Sequence, residues 1–168
     1  MTINEIKELL SHEPTAELIA ELAQDKRVAV QKLLQSYHKR IEKAALEKER
    51  FYKMLSYERQ YYGEGAKLIA GVDEAGRGPL AGPLVIAAVI LPEDVFISGL
   101  NDSKQISASK RDKLYDEVLQ KAISVSVNIV SISNIDELNI YRATQVGMSE
   151  VLLSLDVRPD VALIDAMP

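Results

Sequence analysis

Residues 84–91 read Leu-Val-Ile-Ala-Ala-Val-Ile-Leu, eight apolar side chains in a row. A strand with one wet face alternates apolar and polar residues, so a run this continuous predicts a strand buried on both faces. That requires material above and below a sheet. A second short apolar run, Leu68–Val72, precedes it. Downstream, Ser107–Ala122 reads as a helix, with Ser107 as N-cap and Leu114, Val118 and Leu119 on one side. In the stretch 123–132, Ile123, Val125, Val127 and Ile129 alternate with Ser and Asn, as a strand does. A helix from Asn134 to about Leu155 follows, closed by Arg158-Pro159, and Val161–Ile164 is a last strand ending at Asp165. The order β, β, α, β, α, β predicts an α/β fold, a mixed sheet flanked by helices.

The region before the first strand has a different character. From Thr15 to Tyr62 there is no Pro or Gly, and strong helix formers dominate. Apolar residues recur at helical spacing, with Lys48 interrupting the stripe. One long helix or two are expected, and Gly63 and Gly65 end them. The predicted organisation is an all-helical N-terminal extension over residues 1–66 and a second domain over residues 67–168. Residues 26–59 hold ten Lys and Arg against four acids, and six of the nine aromatics lie between Tyr37 and Tyr62. Such a segment fits a grip on a nucleic-acid backbone, or a solvated face with its aromatics turned inward.

Composition narrows the chemistry. There is no cysteine, which excludes disulfides, thiolate metal sites and thiol catalysis. With His12 and His38 the only histidines, a metal must be held mainly by oxygen, which favours Mg²⁺ or Mn²⁺ over Zn²⁺. No apolar run reaches the ~20 residues of a membrane span. The start, Met1-Thr2-Ile3-Asn4-Glu5, lacks a basic and then apolar leader, so a cytoplasmic protein is expected. The net charge of −5 is uneven: residues 1–67 carry 12 basic against 11 acidic residues, and residues 68–168 carry 8 against 14.

Two strands distant in sequence end in acid, Val72-Asp73-Glu74 and Ile164-Asp165. Ligands of open α/β sheets gather at the carboxyl ends of strands. If these strands are neighbours, Asp73 and Asp165 face each other, and a divalent ion relieves their repulsion. Two such ions would suit phosphodiester hydrolysis. Alternatively, acids follow strands simply because loops are polar. The loop Gly76-Arg77-Gly78 bares backbone groups that can read a 2′-hydroxyl, or it is a tight turn stiffened by Pro79 and Pro83. It is not a dinucleotide fingerprint, because no helix follows Gly78. Lys104, in Asn101-Asp102-Ser103-Lys104, either meets a phosphate at a helix entrance or belongs to an Asx-type turn.

Together these stretches resemble ribonuclease HII, the bacterial type 2 ribonuclease H. The residues that carry the resemblance are the run Gly71-Val72-Asp73-Glu74-Ala75-Gly76-Arg77-Gly78-Pro79-Leu80-Ala81-Gly82-Pro83, then Asp102-Ser103-Lys104, then Ile164-Asp165-Ala166-Met167. The first run is the most specific, and the resemblance covers about residues 67–168. It implies a ribonuclease H-like sheet. The implied activity is hydrolysis of the RNA strand of RNA–DNA hybrids and incision 5′ to ribonucleotides embedded in duplex DNA. It leaves 5′-phosphate and 3′-hydroxyl ends and needs Mn²⁺ or Mg²⁺. Asp73, Glu74 and Asp165 match three of the family's four metal-binding, catalytic carboxylates. Gly76, Arg77 and Gly78 match the loop that recognises the 2′-hydroxyl, and Lys104 matches a lysine near the substrate phosphate. A monomer is expected. The family's fourth carboxylate and its junction-sensing tyrosine have no counterpart in these 168 residues. The chain stops soon after a strand expected to be central, so a catalytic domain incomplete at its C-terminal end, with weak or no activity, is expected.

Overall fold

The structure is a computed structural model that describes residues 1–78 and 82–165. Pro79, Leu80, Ala81, Ala166, Met167 and Pro168, part of the stretches quoted above, lie outside the described residues. The chain divides into two compact units, Met1–Arg50 and Phe51–Pro168.

The first unit is built from α1 (Ile3–Leu9), α2 (Ala16–Gln24) and most of α3 (Val28–Met54). Thr2 and Glu5 form a reciprocal capping box at the start of α1, which satisfies backbone donors that the helix itself leaves orphaned. Ile6, Leu10, Leu22, Val30 and Leu34 pack into a small core of their own. The span Thr15–Tyr62 holds three helices rather than one or two, α4 (Ser56–Gly63) being the third. The first break has a physical cause. Asp25 leaves helical geometry and its carboxylate takes the Arg27 backbone N–H at 2.9 Å and the guanidinium at 2.5 Å. These bonds hold the Asp25 carboxyl down at about 2, with the Arg27 side chain the main cause. The second break falls at Leu55, whose backbone departs from the helix between α3 and α4.

In the second unit a four-stranded sheet has the order β3-β2-β1-β4, with β1 (Ile69–Ala75), β2 (Leu84–Ile90), β3 (Ser124–Val130) and β4 (Val161–Ile164). β1–β2 and β2–β3 are antiparallel, and β1–β4 is parallel. This is a mixed sheet flanked by helices. α7 (Ile140–Leu153) lies on one face, where Ala70, Val72, Leu84, Ile86, Ala88 and Ile90 meet Ala143, Met148 and Val151. Gly147 lets the helix approach closely, since a Cβ there would stand 2.5 Å from Ile86 Cδ1. A separate cluster joins Phe51, Val95, Ile97 and Ile106 to Leu114 of α5 (Ala108–Lys121). Ser107 stands at the start of α5, but its hydroxyl makes no capping bond. Among the described residues no helix is long and apolar enough to cross a membrane.

Three expectations need correction. β2 is fully buried on its α7 side, but Val85, Ala87 and Val89 on the other side are only half-buried. The helix expected over 134–155 is two, α6 (Ile132–Leu138) and α7, because Asn139 takes a positive φ of 64°. Asn139 then caps α7, accepting from the Arg142 N–H at 3.1 Å. Third, β4 lies at the edge of the sheet among the described residues rather than at its centre.

β3 is turned in an unusual sense. Val130 pairs with Leu84 and enters the core, and strand alternation then puts Asn128, Ser126 and Ser124 on the same side. Val127 and Ile129 are left 57% and 66% exposed. The inward polar groups find partners: Asn128 donates to Glu150 at 2.7 Å, and Ser124 accepts from the Asp156 N–H at 3.0 Å.

The parallel pair β1–β4 starts at a polar clamp. Asp160 Oδ2 accepts from the Lys67 and Leu68 N–H groups at 2.8 and 3.0 Å, and the Leu68 carbonyl accepts from the Asp160 N–H at 2.8 Å. The two backbone donors lower the Asp160 pKa below its ordinary 3.8. A lowered folded value means the clamp contributes fully above the ordinary pKa and fades as pH falls through the folded one. Amide exchange along Val161–Ile164, corrected for its intrinsic rate, is therefore expected to quicken in acid. Asp160→Ala should show the faster exchange already at neutral pH and lose this acid dependence.

Candidate active site

β1 buries Ile69, Ala70 and Val72 and then carries Asp73 and Glu74 in its last three residues. Its register with β4 ends at Val72–Ile164, so Asp165 stands one position further on, level with Asp73. Two acids remote in sequence thus meet at the carboxyl ends of adjacent parallel strands, where a sheet of this kind presents ligands. Both are exposed to water.

Asp73 and Glu74 are consecutive in a strand, so they leave opposite faces of the sheet. Glu74 shares its face with Ala70 and Val72, under α7, and its side chain is only 15% exposed. It pairs with Arg77 Nη1 at 3.3 Å. Asp73 Oδ1 accepts from the Glu74 N–H at 2.8 Å, which fixes its own carboxylate at the strand end. Among the described residues no three acids or histidines converge as a ready metal cage. Strand alternation and the Glu74–Arg77 pair are the reasons: one acid faces away from its neighbour and is held by a cation. The donor chemistry fits a hard divalent ion, since every candidate ligand is a carboxylate oxygen and Asp73 and Asp165 are open to water.

Two glycines of the loop after β1 have different duties. Gly76 has φ +94°, and a Cβ there would stand 2.6 Å from the Pro83 carbonyl oxygen. It is a structural requirement of the β1–β2 connection. Gly78 has ordinary φ and, among the described residues, nothing within 4 Å of where a Cβ would lie. Arg77 between them is part-buried by its pair with Glu74.

Lys104 lies in a short 3₁₀ turn, Ser103–Gln105, between β2 and α5. Its backbone N–H donates to Asp102 Oδ1 at 2.9 Å, an Asx-type arrangement, and its side chain is exposed. Among the described residues no hydrogen bond or ion pair joins it to Asp73 or Glu74. The structure therefore sets Asp73, Glu74, Gly76, Arg77 and Asp165 at one end of the β1–β4 pair, with Glu74 on the opposite face from Asp73, and leaves Lys104 in a separate loop.

Sequence reasoning passed over Gln145 and Ser149. They lie on α7, four residues apart, and with Met148, Leu152, Ile164 and Asp165 they line a cavity of about 420 Å³. The i, i+4 spacing of two polar residues on an otherwise apolar helix face was the available signal.

Comparison with known proteins now bears on this geometry. A family model described as the ribonuclease HII N-terminal domain matches residues 2–62, and one described as ribonuclease HII matches residues 70–168. The chain belongs to the ribonuclease HII family. Ribonuclease HII of Lactobacillus delbrueckii subsp. bulgaricus is 50% identical over 170 residues, covering 99% of this chain and 65% of the relative. That of Ligilactobacillus salivarius is 47% identical over 167 residues, covering 99% and 66%. That of Bacillus cereus is 49% identical over 162 residues, covering 96% and 62%. The chain thus spans about two thirds or slightly less of the length of these ribonuclease HII relatives. Among solved structures, the ribonuclease H2 from Pyrococcus horikoshii OT3 superposes with a TM-score of 0.53 at 32% identity, covering 60% of this chain and 52% of that one.

The two loop glycines should separate in experiment. Gly76→Ala is expected to cost about 1–3 kcal/mol in urea unfolding, from forced positive φ and the Pro83 contact. Gly78→Ala should unfold as the parent does, within about 0.5 kcal/mol.

Proposed function

We propose that the chain carries the nuclease chemistry of its family: hydrolysis of the RNA strand of RNA–DNA hybrids and incision 5′ to a ribonucleotide in duplex DNA, with Mn²⁺ or Mg²⁺. The catalytic domain in this reading is residues 67–168. The observation that carries it is the β1–β4 register, which sets Asp165 level with Asp73 beside the Gly76–Gly78 loop. Asp73, Glu74 and Asp165 would hold the ion. When bound, the ion activates water and stabilises the leaving oxygen.

The remaining work falls to the chain's own residues. Among the described residues nothing crowds Gly78, whose backbone suits a 2′-hydroxyl that both donates and accepts. Gly76 holds that backbone at a fixed place against Pro83. Arg77 has five donors, and its one described bond to Glu74 leaves others for a phosphate oxygen. The same pair holds the Glu74 carboxylate in place at the strand end. Lys104 is read as a point charge for the phosphate backbone, from a loop separate from the acids.

The test is cleavage of a duplex DNA holding one ribonucleotide, with Mn²⁺. The parent chain is expected to incise weakly 5′ to the ribonucleotide. Asp73→Asn and Asp165→Asn should each lose more than about 100-fold, since even partners outside a ligand shell cost 10–100-fold. Gly78→Ala should keep its stability and lose affinity for the ribonucleotide-containing duplex. Equal cutting of an all-DNA duplex would overturn the 2′-hydroxyl role of the loop. Duplex binding without incision in either metal would overturn the assignment of this chemistry to the chain.

A further inference from the structure

The sheet face turned away from α7 carries a groove. Its floor is Ile69 and Gly71 of β1 with Val89 of β2, and Gly71 and Val89 are paired across the two strands. Strand alternation puts these residues opposite Ala70 and Ile90, which meet α7. One wall is α4, where Leu55, Glu58, Arg59 and Tyr62 follow at i, i+3, i+4 and i+7, a single helix face. The other wall is the segment after β2, Leu91 to Val95. The Tyr62 hydroxyl donates to the Leu91 carbonyl at 3.4 Å and ties the walls together at one point. The space divides into a cavity of about 430 Å³ and one of about 120 Å³, which share Leu55, Glu58, Tyr62 and Glu93.

The floor is apolar and the rim is charged with one sign. Glu58, Glu93 and Asp94 line the larger cavity, and among the described residues no ion pair holds any of them. Arg59, the one cation among the described lining residues, lies over the Tyr52 ring, 6.0 Å from its centroid. Burial, and then the charges of Glu93 and Glu58, push the Tyr62 phenol pKa up, so both walls bear on the same point. Three carboxylates repel a phosphate backbone, so this groove does not suit a nucleic acid. Nor do the acids converge as a metal cage among the described residues. An apolar surface with a polar rim marks an interaction site, and the sign of this rim selects a basic occupant.

We infer that the groove docks a short extended segment of a partner protein, with aliphatic side chains on the floor and Lys or Arg at the rim. Its size suits that occupant. From Leu55 to Tyr62 the α4 wall runs about 10 Å at 1.5 Å per residue. That is the span of about three extended residues at roughly 3.3 Å each. Alternate side chains of such a segment point the same way, so two aliphatic residues at i and i+2 reach the floor. Basic residues before and after them meet Glu58 on one wall and Glu93 and Asp94 on the other. The groove's inner end, Gly71, lies two residues before Asp73 on the same face of β1, about 7 Å along the strand. A docked segment thus stands beside the candidate active site and shares no residue with it.

The experiment is fluorescence anisotropy of the whole chain with three labelled peptides. Arg-Leu-Thr-Leu-Arg carries both features, Arg-Ser-Gly-Ser-Arg keeps only the charge, and Glu-Leu-Thr-Leu-Glu reverses it. The first is expected to bind more tightly than either of the others. The combined Glu58→Gln, Glu93→Gln, Asp94→Asn variant should bind it about tenfold more weakly or worse, as three rim pairs of modest strength are lost together. Glu93→Lys with Asp94→Lys should shift the preference to the acidic peptide. Equal binding of the first two peptides overturns the inference, because charge alone then explains it. So does an unchanged affinity in the combined variant, or no binding of any of the three. A dimer in sedimentation that the combined variant dissociates also overturns it, since the occupant is then a second copy of this chain. None of these outcomes depends on a metal or on whether the chain cuts.

Discussion

Four residues of parallel pairing, β1 against β4, make the candidate site possible. Adjacent strands lie about 4.8 Å apart, and this spacing is set by main-chain hydrogen bonds rather than by side chains. It brings Asp73 and Asp165 level although most of the second unit separates them in sequence. The pairing begins at the Lys67–Leu68 and Asp160 clamp, so its alignment is fixed at the end remote from the acids. The chain can then vary its loops at the acidic end without losing alignment. The crossover between the two strands passes through β2, β3 and α7, and α7 covers the β1 face on its return.

At the acidic end the strand's own geometry distributes the work. Two consecutive carboxylates cannot share a face, so one is exposed at the strand end and the other turns under α7 toward Arg77. The ion pair is half-shielded, and it ties the loop to the strand that precedes it. An arriving cation would compete with Arg77 for Glu74. Loop position and charge at the strand end are therefore linked through a single contact.

Much of the architecture was legible because it depends on period. The apolar run over 84–91, the 3.6 spacing over 107–122 and the alternation over 123–132 each produced the element expected of them. Side-chain partners and chain breaks were not legible. The Asp25–Arg27 clamp divides a stretch with no Pro or Gly, and Asn139 breaks a helix by a positive φ that its residue type permits but does not announce. At the site, the level placement of Asp73 and Asp165 could be stated only on condition that their strands were neighbours. The Glu74–Arg77 pair and the cavity shared by Gln145, Ser149 and Asp165 require coordinates, since each depends on how a turn or a helix face is aimed. The sense of β3 was equally hidden: alternation reveals that two faces differ, not which one meets the core.

The close approach of Gly76 to the Pro83 carbonyl acts as a gauge on chain length. A strand that slips by one residue exchanges the faces of all its side chains, and here the exchange would swap Asp73 with Glu74. The apolar core tolerates such errors poorly, but two adjacent acids would show no steric objection to it. What opposes the slip at the acidic end is that the residue just after β1 must pass that carbonyl, and it must lack a Cβ. Which acid stands on the exposed face of the strand end is thus decided three residues from Asp73, by an atom that is not there.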